Sequence, residues 1–513
     1  MDMITGRGEG CRITETRFDL TLACEAGGEY TMPDYYPEVR RIVSYTAEAL
    51  PDTKFLSGDT LEAGGTLAFT VTYIGEDGAI VALPYATEYS GKIQLPSEVR
   101  GAGEICIDAE CEDVQCRVLA PRRISIRGRV RQRIYSDCER EYFLSYSDGD
   151  GGSVSPSDKG AVQLLEGIVP VTYCARGMAT GSVSGEIRDR QGAKPISCMG
   201  IVGITDVRAR TDAVLVTGCI YVRGVVFTAD GVYTQAKGTI PFEETVSVKG
   251  AKEGDACRAW GRVASISLSE DGEGRLKAEC EYDIDAEWCR KGQVTCAFDA
   301  YSTSFASKVE RSDVYSMSPV CCLNSPLTVS GSGKRSSATQ NGEYLIDMQS
   351  RASIDSVELK GDRAIFTGKC IVKAYIASDG EVICEEISLP IKYECTAMAV
   401  CDGGKPVIRS FVSVTDVSGR LEGDAVFASC ELCLSISCRQ VTMISPVREV
   451  VLDKNQRIAS HEAEIRVCYP SDGEGILLWD AAKKYLCDVS RVENANGAHR
   501  TTRLDSPVII PRW

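Results

Sequence analysis

The sequence predicts a mainly β protein: three antiparallel β-sandwich or open-barrel-like repeat modules followed by a small strand-helix-helix-strand unit. Three observations carry that expectation. The pattern GTLAFTVTYIGEDG at Gly65 returns as GCIYVRGVVFTADG at Gly218 and as GKCIVKAYIASDG at Gly368, its leading glycines 153 and 150 residues apart. Each copy alternates apolar and polar residues, is rich in β-branched and aromatic types, and ends on Asp-Gly, which is the signature of a strand entering a hairpin. Past Ser460 the texture changes to a helical spacing of apolar residues. A period near 150 residues is long enough for each copy to bury its own core, unlike a solenoid repeat of about 20 to 50 residues.

The elements follow in order. Asp77-Gly78, Asp230-Gly231 and Asp379-Gly380 supply the positive φ that a tight hairpin needs. The returning strands AIVALPYATEY, VYTQAKGTIPFEETVSV and EVICEEISLPIKYECTA come next. A second strand pair then follows in each copy, turning at Ala120-Pro121, Asp271-Gly272 and Gly419 to Gly423. One or two lead-in strands precede each hairpin (EYTMPDYYPEVRRIVSYTAEAL, PISCMGIVGITDVRARTDAVLV, LIDMQSRASIDSVELKGDRAIF). The Gly/Ser-rich stretches Ser145 to Gly160 and Ser330 to Gly342 read as mobile linkers. The expected division is 1–145, 160–298 and 299–450 for the modules and 462–513 for the terminal unit.

In the terminal unit, AEIRVCYP and DSPVIIPRW read as strands flanking two helices. Leu478, Ala482 and Tyr485 fall on one face of the first helix, and Asp488 caps a second that Gly497 ends. At about 50 residues this is near the lower size for independent folding.

Composition excludes several classes. With 57 basic and 73 acidic residues the net charge is −16, which repels phosphate backbones and anionic lipid, so neither nucleic acid nor a membrane surface is an expected partner. The opening MDMITGRGEG has no basic-then-apolar secretory pattern, and no apolar run approaches a membrane span, so a cytosolic protein is expected. The 24 cysteines sit mostly within alternating strands and read as small buried apolar residues; Cys321-Cys322 is the first candidate for an exposed exception, and even there the buried reading is favoured. Cys430 and Cys433 point to opposite faces and cannot share a metal. No metal or cofactor is expected.

Catalysis finds no foothold. The only histidines are His461, in a linker, and His499, in the terminal unit, so the modules lack the usual base for a Ser, Cys or Thr nucleophile. Gly331-Ser332-Gly333-Lys334 lacks the upstream glycine of a phosphate-binding loop and reads as linker. The acidic glycine clusters read as turns. A repeat without a repeated catalytic side chain points to a scaffold, with no enzyme activity expected.

The terminal unit is similar to a LysM domain: Leu478-Trp479-Asp480-Ala481-Ala482-Lys483-Lys484-Tyr485, then Asn494-Ala495-Asn496, then Pro507-Val508-Ile509-Ile510-Pro511 match in order and spacing. Where that family has Gly-Asp-Thr before the first helix, this chain has Gly475-Ile476-Leu477, which removes the polar cap. The three modules resemble the SPOCS domain of clostridial sporulation proteins, on the Asp-Gly hairpin followed by the Leu/Ile-Pro step and on Asp299-Ala300-Tyr301-Ser302-Thr303. The resemblance implies a noncatalytic adaptor of spore coat assembly in the mother-cell cytoplasm, recruited to the forespore surface. Its partner would be a coat morphogenetic ATPase of the SpoIVA type, bound through the LysM-like unit, with self-association of the repeats as a further contact. The implied recognition residues are Asp472, Gly473, Glu474, Leu478, Trp479, Asn494 and Asn496, with burial in the core as the alternative for Trp479, since large aromatics in so small a unit are more often core than contact. The alternative is a spore-envelope protein that binds peptidoglycan or a related N-acetylglucosamine-type glycan.

Overall fold

The computed structural model describes residues 10–96, 105–148, 154–187, 192–271, 273–335, 343–360, 363–378, 381–396, 405–458, 464–470 and 475–512. The architecture is mainly β, in small antiparallel sheets with no closed barrel. One six-strand plan recurs three times. The first module comprises β1 (Gly10–Thr31), β2 (Val39–Ser57), β3 (Thr60–Gly75), β4 (Ile80–Gln94), β5 (Ile105–Ala120) and β6 (Arg123–Phe143). Strands two, three and four form one sheet, and the sixth lies between the first and fifth in the other. Facing side chains such as Leu67, Phe69, Tyr73, Ile126 and Val130 form the core between the sheets. The arrangement is a sandwich because each strand buries only its alternate residues.

The second module repeats the plan with β8 (Val162–Ile187), β9 (Lys194–Arg210), β10 (Ala213–Phe227), β11 (Tyr233–Ser247), β12 (Ala256–Glu270) and β13 (Leu276–Ser302). The third has β15 (Val314–Lys334), β16 (Tyr344–Lys360), β17 (Arg363–Ser378), β18 (Glu381–Thr396), β19 (Lys405–Glu422) and β20 (Ala425–Ile444).

The leading glycines of the repeat have a shared steric cause. Gly65, Gly218 and Gly368 each face a point where the neighbouring strand carries an extra residue, at Asp52, Thr205 and Asp355. There a Cβ would collide with the carbonyl oxygens of Leu50, Gly203 and Ser353. A bulge brings the backbones too close for any side chain.

The hairpins turn as expected at Gly78 (φ 81°) and Gly231 (φ 76°). In both, the glycine N–H donates back to the residue three before it, at Gly75 and Thr228, so each is a type I turn closed by a left-handed glycine. Asp379-Gly380 lies outside the described residues. The turn at Asp271 is closed by Gly274 (φ 77°), Gly272 lying outside the described residues. The last turn is at Gly423 (φ 57°) and Asp424, Gly419 lying within β19.

Parts of both presumed linkers are ordered structure, which corrects the mobile reading for 145–148, 156–160 and 330–334; 149–153 and 336–342 lie outside the described residues. Ser145–Asp148 forms β7, which adds in parallel to β21 (Val447–Arg457), itself paired with β14 (Phe305–Arg311). Pro156–Gly160 is a single helical turn, α1, capped by the Ser155 hydroxyl. Ser330 to Lys334 completes β15, where added Cβ atoms on Gly331 and Gly333 would crowd Leu389 and Ile387 of the facing sheet. These glycines serve sheet packing rather than flexibility. Strand β13 runs through the expected boundary at 298/299 without a break.

The modules pack on one another in cyclic order. Strand β4 lies beside β9, β11 beside β16, and β18 returns to β2, while the first strands β1, β8 and β15 contact each other. At the centre is a buried ion cluster. Asp137 of module one accepts from Arg409 (2.6 and 3.1 Å) and Arg439 (2.7 Å) of module three. Arg439 also pairs with Glu287 of module two, which holds Arg258 at 2.7 Å. Nearby, Arg176 reaches Asp285 at 2.8 Å, Asp108 of module one at 3.0 Å and the Tyr135 hydroxyl at 2.6 Å. Burial pushes the Asp108 carboxyl up, but the surrounding guanidiniums of Arg176, Arg258, Arg262 and Arg409 outweigh it and hold it below the ordinary range.

Candidate functional site

The terminal unit is built from β22 (Glu464–Cys468), β23 (Ile476–Leu477), α2 (Leu478–Lys484), α3 (Val489–Asn496), β24 (Arg503–Leu504) and β25 (Val508–Arg512). β22 pairs antiparallel with β25, and the helices pack against one face of that sheet through Val492, Val508 and Ile510. The Asp488 carboxylate accepts from the N–H groups of Ser490 (2.9 Å) and Arg491 (3.3 Å), and Gly497 (φ 61°) closes α3. By contrast α2 has the apolar Leu477 at its N-cap, which offers no side-chain acceptor, and carries no side-chain cap.

The unit is seated on the end of β13. The indole N–H of Trp479 donates to Asp299 Oδ2 at 2.8 Å, and the Lys483 ammonium reaches both Asp299 oxygens at 2.7 Å. The Tyr301 ring meets Trp479 edge-on at 5.1 Å, and its hydroxyl donates to the Cys487 carbonyl at 2.5 Å. Arg500 donates to the Leu164 carbonyl (3.0 Å) while a fork of Glu493 holds its guanidinium, and Gln163 accepts from the Val489 N–H. Burial pushes Asp299 up, but the hydrogen bonds from Lys483 and Trp479 and the ammonium charge overcome this and hold it below the usual carboxylate range. The Asp299-Ala300-Tyr301 phrase is therefore the socket for this unit.

The sequence-predicted recognition residues separate. Trp479 is 1% exposed and Leu478 is buried, so both are core, because in so small a unit the largest apolar side chains supply most of the buried area. Asn496 is also structural: its amide bridges the Val492 and Ile509 carbonyls at 2.7 Å and accepts from the Ile509 N–H at 2.8 Å. Asn494 is exposed on α3. Asp472, Gly473 and Glu474 lie outside the described residues, as does His461.

The surface that sequence reasoning missed is the outer face of the two-stranded sheet. Ile465 is 67% exposed, Val467 47%, Tyr469 just beyond β22 74%, and Ile509, directly opposite Val467, 39%. Residues opposite one another across a strand pair share a face, so these four form one apolar stripe. Its signal was the alternation Ile465, Val467, Tyr469, which ordinarily marks a core-facing side. Here the helices cover the other face, on which Arg466 stacks over Tyr485 at 5.6 Å.

Cys321 and Cys322 are both half-buried, and among the described cysteines Cys384 is exposed. Among the described residues no group of acidic, cysteine or histidine side chains is arranged to hold a metal, and no helix is long and apolar enough to cross a membrane.

A repeat of two-sheet β modules bearing a seated terminal unit is the architecture on which comparison with known proteins bears. A family model described as SipL, SPOCS domain matches residues 194–270, which run from the start of β9 to the end of β12. Over that span the chain is similar to SipL-type sporulation proteins. The same strand order recurs as β2–β5 and β16–β19. Curated proteins and solved structures give no match.

Proposed function

We propose that the chain is a noncatalytic adaptor of spore coat assembly, whose three SPOCS-like modules form a rigid body and whose LysM-like terminal unit binds a coat morphogenetic ATPase of the SpoIVA type. The adaptor works in the mother-cell cytoplasm and is recruited to the forespore surface. The observation that carries this reading is the exposed stripe Ile465, Val467, Tyr469 and Ile509 on a unit fixed in place by Asp299 and Tyr301. A contiguous apolar face suits a protein partner, since such surfaces are uncommon on monomers without one. A sugar would need polar groups aimed at its hydroxyls.

Capture of the purified ATPase by the full chain tests the reading. Ile465→Asp leaves the core of the unit intact and is expected to weaken capture at least about tenfold, equivalent to about 1.4 kcal/mol, while Asn494→Ala changes it little. Unchanged capture by Ile465→Asp would remove the stripe as the contact. Retention on peptidoglycan without capture of the ATPase would establish the glycan-binding alternative instead.

A further inference from the structure

The ion pairs at the junction of the three modules form a chain whose charge can be counted. Arg409 of β19 and Arg439 of β20 donate to the same oxygen of Asp137 on β6, at 2.6 and 2.7 Å. Arg439 pairs onward with Glu287 of β13, and Glu287 with Arg258 of β12 at 2.7 Å. The chain begins and ends on arginine, so three guanidiniums face two carboxylates. These side chains are withdrawn from solvent, at 4% exposed for Arg409, 13% for Asp137, 2% for Arg439, 6% for Glu287 and 2% for Arg258.

Neighbouring groups do not remove the excess. The adjacent chain of Asp108, Arg176, Asp285 and Arg262 is balanced at two and two. Asp19, 4.0 Å from Arg409, is already held by Arg133 at 2.8 and 2.7 Å. The Arg409 guanidinium lies over the Tyr135 ring at 3.7 Å, and the Tyr135 hydroxyl accepts from Arg176, but burial pushes that phenol up from its ordinary value and keeps it neutral. Nor do the arginines shed their charge as a buried lysine can. Even Arg258, which burial lowers to about 10, stays protonated at neutral pH. A second observation falls on the same side chains: the Nε–H groups of Arg409 and Arg439 are buried without an acceptor. Buried charges and buried donors are ordinarily both met by a partner.

We propose that the junction of the three modules is a binding site for a small inorganic monoanion of the chloride class, held by the Nε–H groups of Arg409 and Arg439 as the third counter-charge of the chain. A halide suits a site closed to solvent, because it accepts N–H groups from any direction and brings neither donors nor bulk of its own. Bound there, it offsets the arginines of module three beside carboxylates from modules one and two, and so strengthens the joint between the modules.

The test follows thermal unfolding of the full chain while chloride replaces gluconate at constant ionic strength, which holds general screening fixed. Because the anion binds the folded state, the transition should rise with chloride, each further tenfold adding an equal increment once the site is filled. Bromide should act in the same direction, and crystals grown in bromide should show an anomalous peak within hydrogen-bond reach of Nε of Arg409 and Arg439. Arg409→Gln leaves Asp137, Arg439, Glu287 and Arg258 balanced, so its transition should no longer follow chloride. A wild-type transition indifferent to the identity of the anion, or continued chloride dependence in Arg409→Gln, overturns the proposal. So does a bromide map with no peak at these arginines, and that wild-type map decides the matter whether or not the variant folds.

Discussion

Trp479 carries two readings in the sequence, a recognition residue by resemblance and a core aromatic by the small size of the unit. Its indole is buried and its N–H is committed to Asp299. Trp479→Ala is expected to cost about 3 to 5 kcal/mol, the usual range for emptying a large aromatic site. In so small a unit that loss unfolds residues 464–512 while the modules stay intact, which limited proteolysis would detect as early cleavage there. The socket also carries a pH dependence. The folded-state pKa of Asp299 is depressed, so its contribution to seating is fully present above the unfolded value near 3.8 and is lost as pH falls through the lower folded value. Trp479 fluorescence should therefore report loosening only in strong acid. In Asp299→Asn that acid step should shrink, and an unchanged step would assign it to another carboxylate.

Among the elements, the strands visible in the sequence were those with full alternation. The hairpins β3–β4, β10–β11 and β17–β18 and the pairs β5–β6, β12–β13 and β19–β20 all carry it. The first strands β1, β8 and β15 were not recognised, and β8 shows why. Gly177, Gly181 and Gly185 interrupt its pattern because added Cβ atoms would crowd Val248 and Ile240 from the facing sheet and the Tyr282 ring of the neighbouring strand β13. Composition that resembles a linker can therefore be a demand for close sheet packing, as at Gly331 and Gly333. The terminal helices were legible because Asp488 and Gly497 are local signals, whereas the outward stripe on β22 depends on which face the helices cover. The leading glycines supply the prediction at this scale. Gly65→Ala, Gly218→Ala and Gly368→Ala each force a Cβ onto a carbonyl oxygen at a bulge and should destabilise by at least about 1 to 3 kcal/mol, the range for overpacking. Gly160→Ala, where nothing lies within 4 Å, is the control. Urea denaturation of the four variants would expose any leading glycine that tolerates a methyl group and so is not held by the bulge.

The cyclic order of the modules changes what a threefold repeat means for the whole molecule. Repeats strung along a chain offer three similar surfaces, but here the fourth strand of each module is covered by the second strand of another, and the ion cluster draws on all three. Side chains at the seams add to this: Arg223 of module two donates to the carbonyls of Met348 (3.0 Å) and Val417 (2.5 Å) of module three, and the Tyr233 hydroxyl accepts from the Ile80 N–H of module one at 2.9 Å. A module removed from this arrangement would expose unpaired buried charge, so the three should unfold together rather than in turn. Arg439 is the sharpest probe, since among the described residues it pairs with both Asp137 and Glu287. Arg439→Leu leaves two carboxylates with reduced compensation in a buried site, and breaking such a pair typically costs about 3 to 5 kcal/mol. Calorimetry should then show one module transition moved to lower temperature as a unit. If Arg439→Leu instead splits that transition, or lowers only the part belonging to module three, the cluster is a local feature and the modules are independent domains after all.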